Sequence, residues 1–275
     1  MDSIAHYKIL ERVGESRLGE IFRARDTRLG RTVAIKIPPP GIQNDPAKRE
    51  ALLEDARKAI ALSHPGIASL YEVGDEHGRV FLACEFVPGD ALDRVIAGHA
   101  LNPRRAIDLT AQVADVLADA HAVEMVHGHL TAEGVIVTPK GNAKILDFGF
   151  ARWTRTDTAL GDEAGDIRGL RRLFFEMLTG KAPSANESER VAPTSINKSL
   201  PSEVDPIALK QYELAVTFAA DLRAVGAILE VRAEAADTSR GVAGRGQASK
   251  SKAPWVAAVL AVAAVALTAA WWWLR

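Results

Sequence analysis

The sequence has a single cysteine, Cys84, in 275 residues, which excludes an intramolecular disulfide framework. Cys84 lies in the apolar run VFLACEFV, where a small buried side chain is expected rather than a reactive thiol. Charge of one sign is equally lacking. Thirty-four Lys and Arg stand against 35 Asp and Glu, for a formal net charge of -1. No basic field draws the chain to nucleic acid, and no nucleic-acid partner is expected. The opening MDSIAHYKIL has no basic start, apolar middle and small-residue cleavage site, so a secretory leader is not expected. With 48% hydrophobic and 25% charged residues, the chain has the composition of a globular protein with a sizeable core.

Long apolar runs are also missing until the end of the sequence. There WVAAVLAVAAVALTAAWWWL, residues 255–274, carries no charge. Twenty residues at about 1.5 Å each span roughly 30 Å, the thickness of a bilayer's hydrocarbon core. Trp255 at one end and Trp271, Trp272 and Trp273 at the other suit the two membrane interfaces, and a transmembrane helix is expected. Arg240, Arg245, Lys250 and Lys252 precede the span and only Arg275 follows it, so the positive-inside bias predicts a single-pass, tail-anchored protein in the cytoplasmic membrane with its folded part facing the cytoplasm. The stretch 237–254, DTSRGVAGRGQASKSKAP, is rich in Gly, Ser and Ala and predicts a flexible basic linker.

Alternation and turn residues predict strands near Tyr7 to Val13, Glu20 to Asp26, Thr32 to Ile37, Ala68 to Gly74 and Arg79 to Glu85, with a helix from Pro46 to Leu62. In VGESRLGEIFRA, Gly14 and Gly19 flank a polar hairpin where absent Cβ atoms would let backbone amides approach phosphate oxygens. In VAIK, Lys36 sits among apolar strand neighbours and needs an anionic partner or a route to the surface. Further on, Asn102 followed by Pro103 starts a helix with apolar residues at helical spacing through Val123.

The stretch YKILERVGESRLGEIFRARDTRLGRTVAIK, with LSHPGIASLYEVGDEHGRVFLACEFVPGDAL, resembles the opening of bacterial Ser/Thr protein kinases. The stretch VHGHLTAEGVIVTPKGNAKILDFGFAR resembles their catalytic loop and DFG metal site. The resemblance covers nearly all of residues 7 to 180. It implies an α+β, two-lobed protein kinase-like fold, with a small β-rich lobe over 1–87 and a shortened helical lobe over 88–236. ATP and Mg2+ are the cofactors it implies. Nucleotide contacts then fall on Gly14, Gly19, Ile21, Ala34, Lys36, Asp55, Glu85 and Val87, and a metal ligand on Asp147. Asp55 takes the place of the helix Glu that pairs with the strand lysine, one methylene shorter, while Glu54 projects about 100° around the helix. Glu85 to Val87 take the place of the hinge whose backbone would bond adenine.

Against this family pattern, the quoted stretches depart where chemistry is done. The middle glycine of GxGxxG is Ser16. Set against HRDLKPEN, the segment HGHLTAEG keeps His127 and Leu130 but puts His129 at the catalytic Asp, Thr131 at the Lys and Gly134 at the metal-binding Asn. In the family the Asp orients the substrate hydroxyl, the Lys neutralises γ-phosphate charge and the Asn holds a second metal ion. His129 could accept a proton, but Thr131 brings no charge and Gly134 no metal-binding side chain. Asp147 leaves one metal ligand, or a retained turn without metal. No APE motif lies between Gly149 and Asp166, so a shortened activation segment is expected, and Gln211 replaces the Arg that pairs with the Glu of APE. Thr154, Thr156 and Thr158 beside Arg152 and Arg155 are candidate phosphorylation sites. The expectation is a membrane-tethered pseudokinase, a nucleotide-binding or scaffold module whose partners are other proteins, an active kinase or a membrane protein. Two alternatives stay open, a weakly active Ser/Thr kinase and an ATP-sensing switch without transfer.

Overall fold

The computed structural model describes residues 2–154, 161–183 and 191–244. Elements follow in chain order as β1 (Ser3–Ile4), β2 (Tyr7–Ser16), β3 (Gly19–Asp26), β4 (Thr32–Ile37), α1 (Pro40–Gln43), α2 (Pro46–Ile60), β5 (Leu70–Glu76), β6 (Arg79–Glu85), β7 (Asp90–Ala91), α3 (Leu92–Ile96) and α4 (Pro103–His121). A 3-10 turn, Ala132–Gly134, leads to β8 (Val135–Val137) and β9 (Ala143–Ile145). Then come α5 (Ala151–Thr154), α6 (Glu163–Thr179), α7 (Pro193–Ile196), α8 (Val204–Leu209) and α9 (Ala215–Gly244). Residues 1–229 form one compact unit, so the two lobes expected from the sequence fold against each other.

The first lobe is a six-stranded antiparallel sheet in the order β1-β2-β3-β4-β6-β5. Because strand side chains alternate in direction, β4 divides its residues between two apolar clusters. Val33, Ile35 and Ile37 join Tyr7, Phe81 and Ala83 on one face. On the other, Ala34 lies opposite Cys84, and both belong to a second cluster with Leu52, Ala56 and Ala59 of α2. Lys36 shares that second face, two residues along the strand from Ala34, and is 4% exposed. α2 starts where its sequence says it should, with the Asp45 side chain accepting from the Ala47 and Lys48 amides and Pro46 in the first turn. It ends at Ile60, two positions before the expected Leu62.

The second lobe is built around α4 and α6. Asn102 caps α4 by accepting from the Arg104 amide at 3.0 Å, as the Asn-Pro pair predicts. Asp162 caps α6 through the Gly165 amide, and Gly180 ends it with φ 74°. α6 thus begins at Glu163. Ile107, Leu117, Leu170, Phe174 and Phe218 are among the buried side chains of the lobe's core. Tyr212 stacks on Phe218 at 4.4 Å and donates its hydroxyl to Asp221. Hydrogen bonds from Lys210 and Tyr212 hold the Asp221 carboxyl below the usual carboxylate range, so the turn that carries Gln211 has its own charge balance.

One boundary differs from expectation. α9 runs through Asp237 to Gly244, into the stretch read as a flexible linker. Nothing between Ala215 and Pro254 removes a backbone donor, and an isolated glycine costs a helix only about 1 kcal/mol. The rest of that linker and the expected membrane span, residues 255–274, lie outside the described residues. Among the described residues no helix is long and apolar enough to cross a membrane.

Asp166 joins the core to the loop that precedes β8. Its side chain is fully buried, and it accepts from the amides of His127 at 2.8 Å and Gly128 at 2.6 Å, while His121 Nε2 stands 3.0 Å away. Removing this carboxylate orphans two buried donors. Asp166→Ala should therefore lose at least ~3 kcal/mol of stability, read as a lower urea midpoint with an unchanged slope.

Candidate functional site

The cleft between the lobes is lined by the residues that the sequence singled out, and the structure pairs them differently from expectation. Lys36 on β4 and Asp147 after β9, 111 residues apart, form a direct ion pair. Burial works to lower the lysine's pKa, but the adjoining Asp147 carboxylate outweighs it and holds the ammonium above its ordinary value. Asp147 itself adopts φ 56°, a left-handed conformation that Asp tolerates better than most residues. The need of Lys36 for an anion is met by Asp147.

Asp55 corrects an expectation. It was placed as the helix partner of Lys36, yet its carboxylate accepts from Arg152 Nη2 at 2.6 Å and Trp153 Nε1 at 2.8 Å. Both donors come from α5, the one-turn helix that follows DFG. The bond to Arg152 is charge-assisted. In the sequence Arg152 stands out only beside its threonines, and Trp153 not at all. A separation of 97 residues leaves no local pattern to find them by. Of those threonines, Thr154 lies in α5, with its hydroxyl donating to the Phe150 carbonyl at 3.3 Å; Thr156, Thr158 and Arg155 lie outside the described residues.

The glycine turn has two unlike ends. A Cβ on Gly14 would meet nothing within 4 Å, so that side of the turn is open. Gly19, at φ 114°, would place a Cβ 1.9 Å from the Ile37 carbonyl oxygen, so this glycine is demanded by strand packing and offers no free face to a phosphate. Between them the Ser16 hydroxyl accepts from the Leu18 amide at 3.2 Å, and Leu18 is fully buried. Leu18 shares one apolar cluster with Ala34, Cys84 and Phe150, with Ile21 and Trp153 packed against it. The expected nucleotide contacts Ile21 and Ala34 are thus brought together, along with side chains from the turn and from beyond DFG.

At the hinge, the Glu85 carboxylate is paired with Lys144 of β9 and its amide donates to the Ser69 carbonyl at 2.8 Å. Val87 is half-buried beyond it. Glu85 therefore ties the small lobe to the β8-β9 hairpin, and its side chain is committed away from a base.

The catalytic-loop frame is intact. His127 Nδ1 accepts from the His129 amide at 3.2 Å, which leaves the proton on Nε2 to donate to the Leu146 carbonyl at 3.0 Å. The His127 ring meets Phe148 of DFG edge-on at 5.4 Å. Gly134 closes the 3-10 turn, its carbonyl accepting from the Leu146 amide at 2.8 Å. Each of these bonds uses backbone or a retained ring, and none of them is made by the side chains at 129, 131 and 134. Gly128 packs against Gly161, just before α6: a Cβ on Gly161 would lie 2.2 Å from the Gly128 Cα.

Lys36 and Asp147 are the residues that would hold a magnesium nucleotide, and in the arrangement described they face each other. The ammonium and the carboxylate that would hold phosphate and metal neutralise each other, and among the described residues no group of three His, Cys, Asp or Glu is placed to hold a metal ion.

A two-lobed fold with a strand lysine, a DFG aspartate and a histidine-anchored loop defines a protein kinase-like domain. The family model "Protein kinase domain" matches residues 7–169, and the chain belongs to that family. It is 29% identical over 258 residues to the serine/threonine-protein kinase PrkC of Bacillus subtilis, covering 79% of this chain and 40% of that protein. It is 29% identical over 227 residues to PknA of Mycobacterium tuberculosis, covering 73% of this chain and 53% of the relative. The match thus spans about half or less of these relatives' length. The solved kinase domain of Mycobacterium tuberculosis PknI is 19% identical with a TM-score of 0.68, covering 80% of this chain and 96% of that one; at that identity the likeness concerns the fold.

Two outcomes follow from this geometry. Gly128 has φ 77°, and a Cβ there would lie 2.5 Å from the Ala151 Cβ. Gly128→Arg, which rewrites the segment toward HRD, should cost about 2 kcal/mol or more and lower the melting temperature. Burial pushes the Cys84 thiol from 9.0 up to about 12, against the opposing influence of Lys36. The unfolded thiol ionises first, so stability should fall as pH rises between those values, and maleimide labelling at pH 8 should track unfolding rather than occur on the native protein.

Proposed function

We propose that this kinase-like domain is a pseudokinase, a regulatory or scaffold module that acts by binding other proteins. The observation that carries it is the mutual pairing of Lys36 and Asp147 beside a loop that presents His129, Thr131 and Gly134 where the family places Asp, Lys and Asn. Phosphoryl transfer depends almost wholly on positioning and charge neutralisation. A loop without a carboxylate, a cation or an amide at these three places supplies little of either. The lost residues are surplus to the loop's own hydrogen bonding, which supports a protein kept folded for contact rather than for turnover.

The chain is held, in this reading, at the cytoplasmic membrane by residues 255–274, with the kinase-like domain facing the cytoplasm. Its partners are an active kinase or another membrane protein, and the apolar span offers small residues for helix packing. ATP with Mg2+ is the family's cofactor pair, and an ATP-sensing role without transfer is supported by the retention of both Lys36 and Asp147.

The deciding assay is transfer of radiolabelled γ-phosphate from ATP by the full chain in detergent, to itself and to a generic basic protein. No label above that of the Lys36→Ala and Asp147→Ala variants is expected. Label that disappears in both variants would show a weakly active kinase instead.

A further inference from the structure

The C-terminal end of α4 departs from local preference twice. The Met125 amide donates to the Ala120 carbonyl at 3.0 Å and the Glu124 amide to the His121 carbonyl at 3.0 Å, a helix stop whose left-handed residue is ordinarily glycine. Here that residue is Glu124, at φ 58°, a conformation that disfavours side chains with a Cβ. It also adds a carboxylate at a helix C-terminus, where Asp119 already stands in the last turn and where the helix dipole favours cations. Among the described residues no Lys or Arg answers either group: Asp119 is paired only with His64, at 3.0 Å, and the Glu124 side chain has no partner. His64 Nδ1 accepts from the Gly66 amide at 3.0 Å, so Nε2 carries the proton offered to Asp119. The ring is thus neutral, and the carboxylate keeps its charge.

These carboxylates belong to a groove of about 400 Å³ between the end of α4 and the chain that leaves α2. Its apolar walls are Leu62, Ile67, Val116, Val123 and Met125. His64 and Asp119 line it as well, and Glu124 stands between two of its lining residues. The floor is firm, since Ile67 and Val116 are buried in the large-lobe core and Leu62 and Met125 pack against it. The rim is open, with Val123 62% exposed and the Asp119 side chain 70% exposed. An apolar floor within an open polar rim is the anatomy of a protein-contact site. None of the lining residues is a nucleotide, metal or catalytic-loop position of the cleft.

We propose that this groove is a docking site for a segment of a partner protein. The segment sets a bulky apolar side chain against Ile67 and Val116, and an Arg or Lys beside it against Asp119 and Glu124. Charge complementarity selects this occupant. The rim offers two carboxylates and no Lys or Arg lines the groove, so an anionic lipid surface is repelled and an apolar side chain alone leaves the charges unanswered. Within the fold, the carboxylate of Glu124 gains no partner and its backbone is strained. A local preference broken without an internal gain marks a function outside the fold. The inference deepens the reading of this domain as a module that binds proteins and rests on that part of it alone, because the groove stands whether or not the cleft transfers phosphate.

The test selects peptides from a random phage-displayed library on the full chain in detergent, then measures the synthetic peptides against the parent, Val123→Arg and Glu124→Gly. Val123→Arg places a cation on the exposed rim, where it answers the carboxylates from within. Selected peptides should carry Arg or Lys next to a bulky apolar residue, weaken as salt is raised, and bind Val123→Arg at least about tenfold less tightly than the parent. Of the three methionines, Met125 lines the groove and Met177 is buried in the core, so in methyl-labelled protein the Met125 resonance should shift on binding and that of Met177 should stay. Glu124→Gly should bind less tightly yet unfold at a higher urea concentration than the parent, a split that a purely structural role does not give. Should Val123→Arg fail to melt cooperatively, Glu124→Gly decides alone. A library without binders, or binders that hold the folded variants within about twofold of the parent, would overturn the docking site and leave the pseudokinase reading untouched. A Met125 shift on concentrating the protein without peptide would make a second copy the occupant and overturn the separate partner. Phosphate transfer in the radiolabel assay would overturn the pseudokinase reading and leave the groove in place.

Discussion

A buried carboxylate with no route to water has to be answered by donors, and in this protein Asp166 is answered by the loop itself. Two successive amides, of His127 and Gly128, and the ring of His121 converge on one side chain of α6. The cost of leaving any of these groups unpaired inside the core is larger than most single contacts can offset. The segment that precedes β8 is therefore positioned from below, by the hydrophobic core, before any residue facing the cleft is considered.

This arrangement separates the frame of the loop from its chemistry. His127 bonds Leu146 with its ring, Gly134 bonds Leu146 with its carbonyl, and Leu130 packs into the core. His129, Thr131 and Gly134 occupy positions whose side chains carry none of these bonds, and a Gly134 without a side chain still closes its turn. A family likeness in fold can thus outlast the residues that perform transfer. At the hinge, the Glu85 side chain serves Lys144 and its amide serves the Ser69 carbonyl.

Much of this was legible from residue patterns. Alternation located five strands within a few positions, because each has one face on Leu52 and Cys84 or on Tyr7 and Phe81. Asn102 with Pro103 declared a helix start through local chemistry alone, and the helix expected from Pro46 starts there. The same stretches carried the site by resemblance: Lys36 and Asp147 do meet in the cleft. Pairing across the lobes was not legible. Asp55 is one methylene from the expected Glu, and nothing within a few residues of it indicates that Arg152 and Trp153 will compete for it. Leu18 could be assigned to a turn, where exposure is the ordinary outcome, but not to the interior, because the cluster it joins is assembled from distant segments that include Phe150 beyond DFG. The end of α9 was missed for a different reason: small and polar residues permit a tether and a helix alike, and composition does not choose between them.

The contact between Gly128 and Gly161 bears on how such a chain changes over generations. A side chain can enter at 161 only after the backbone at 128 has withdrawn, and one at 128 would meet Ala151 first and Gly161 next. A lineage that reaches this state has no single-step road back to the family's loop sequence at position 128, since the intermediate would have to survive a collision inside its own fold. Drift at Gly134 meets no such obstacle, since a Cβ there would find only the Thr131 hydroxyl, at 3.6 Å. Sequences descended from this one should therefore keep the glycine pair together.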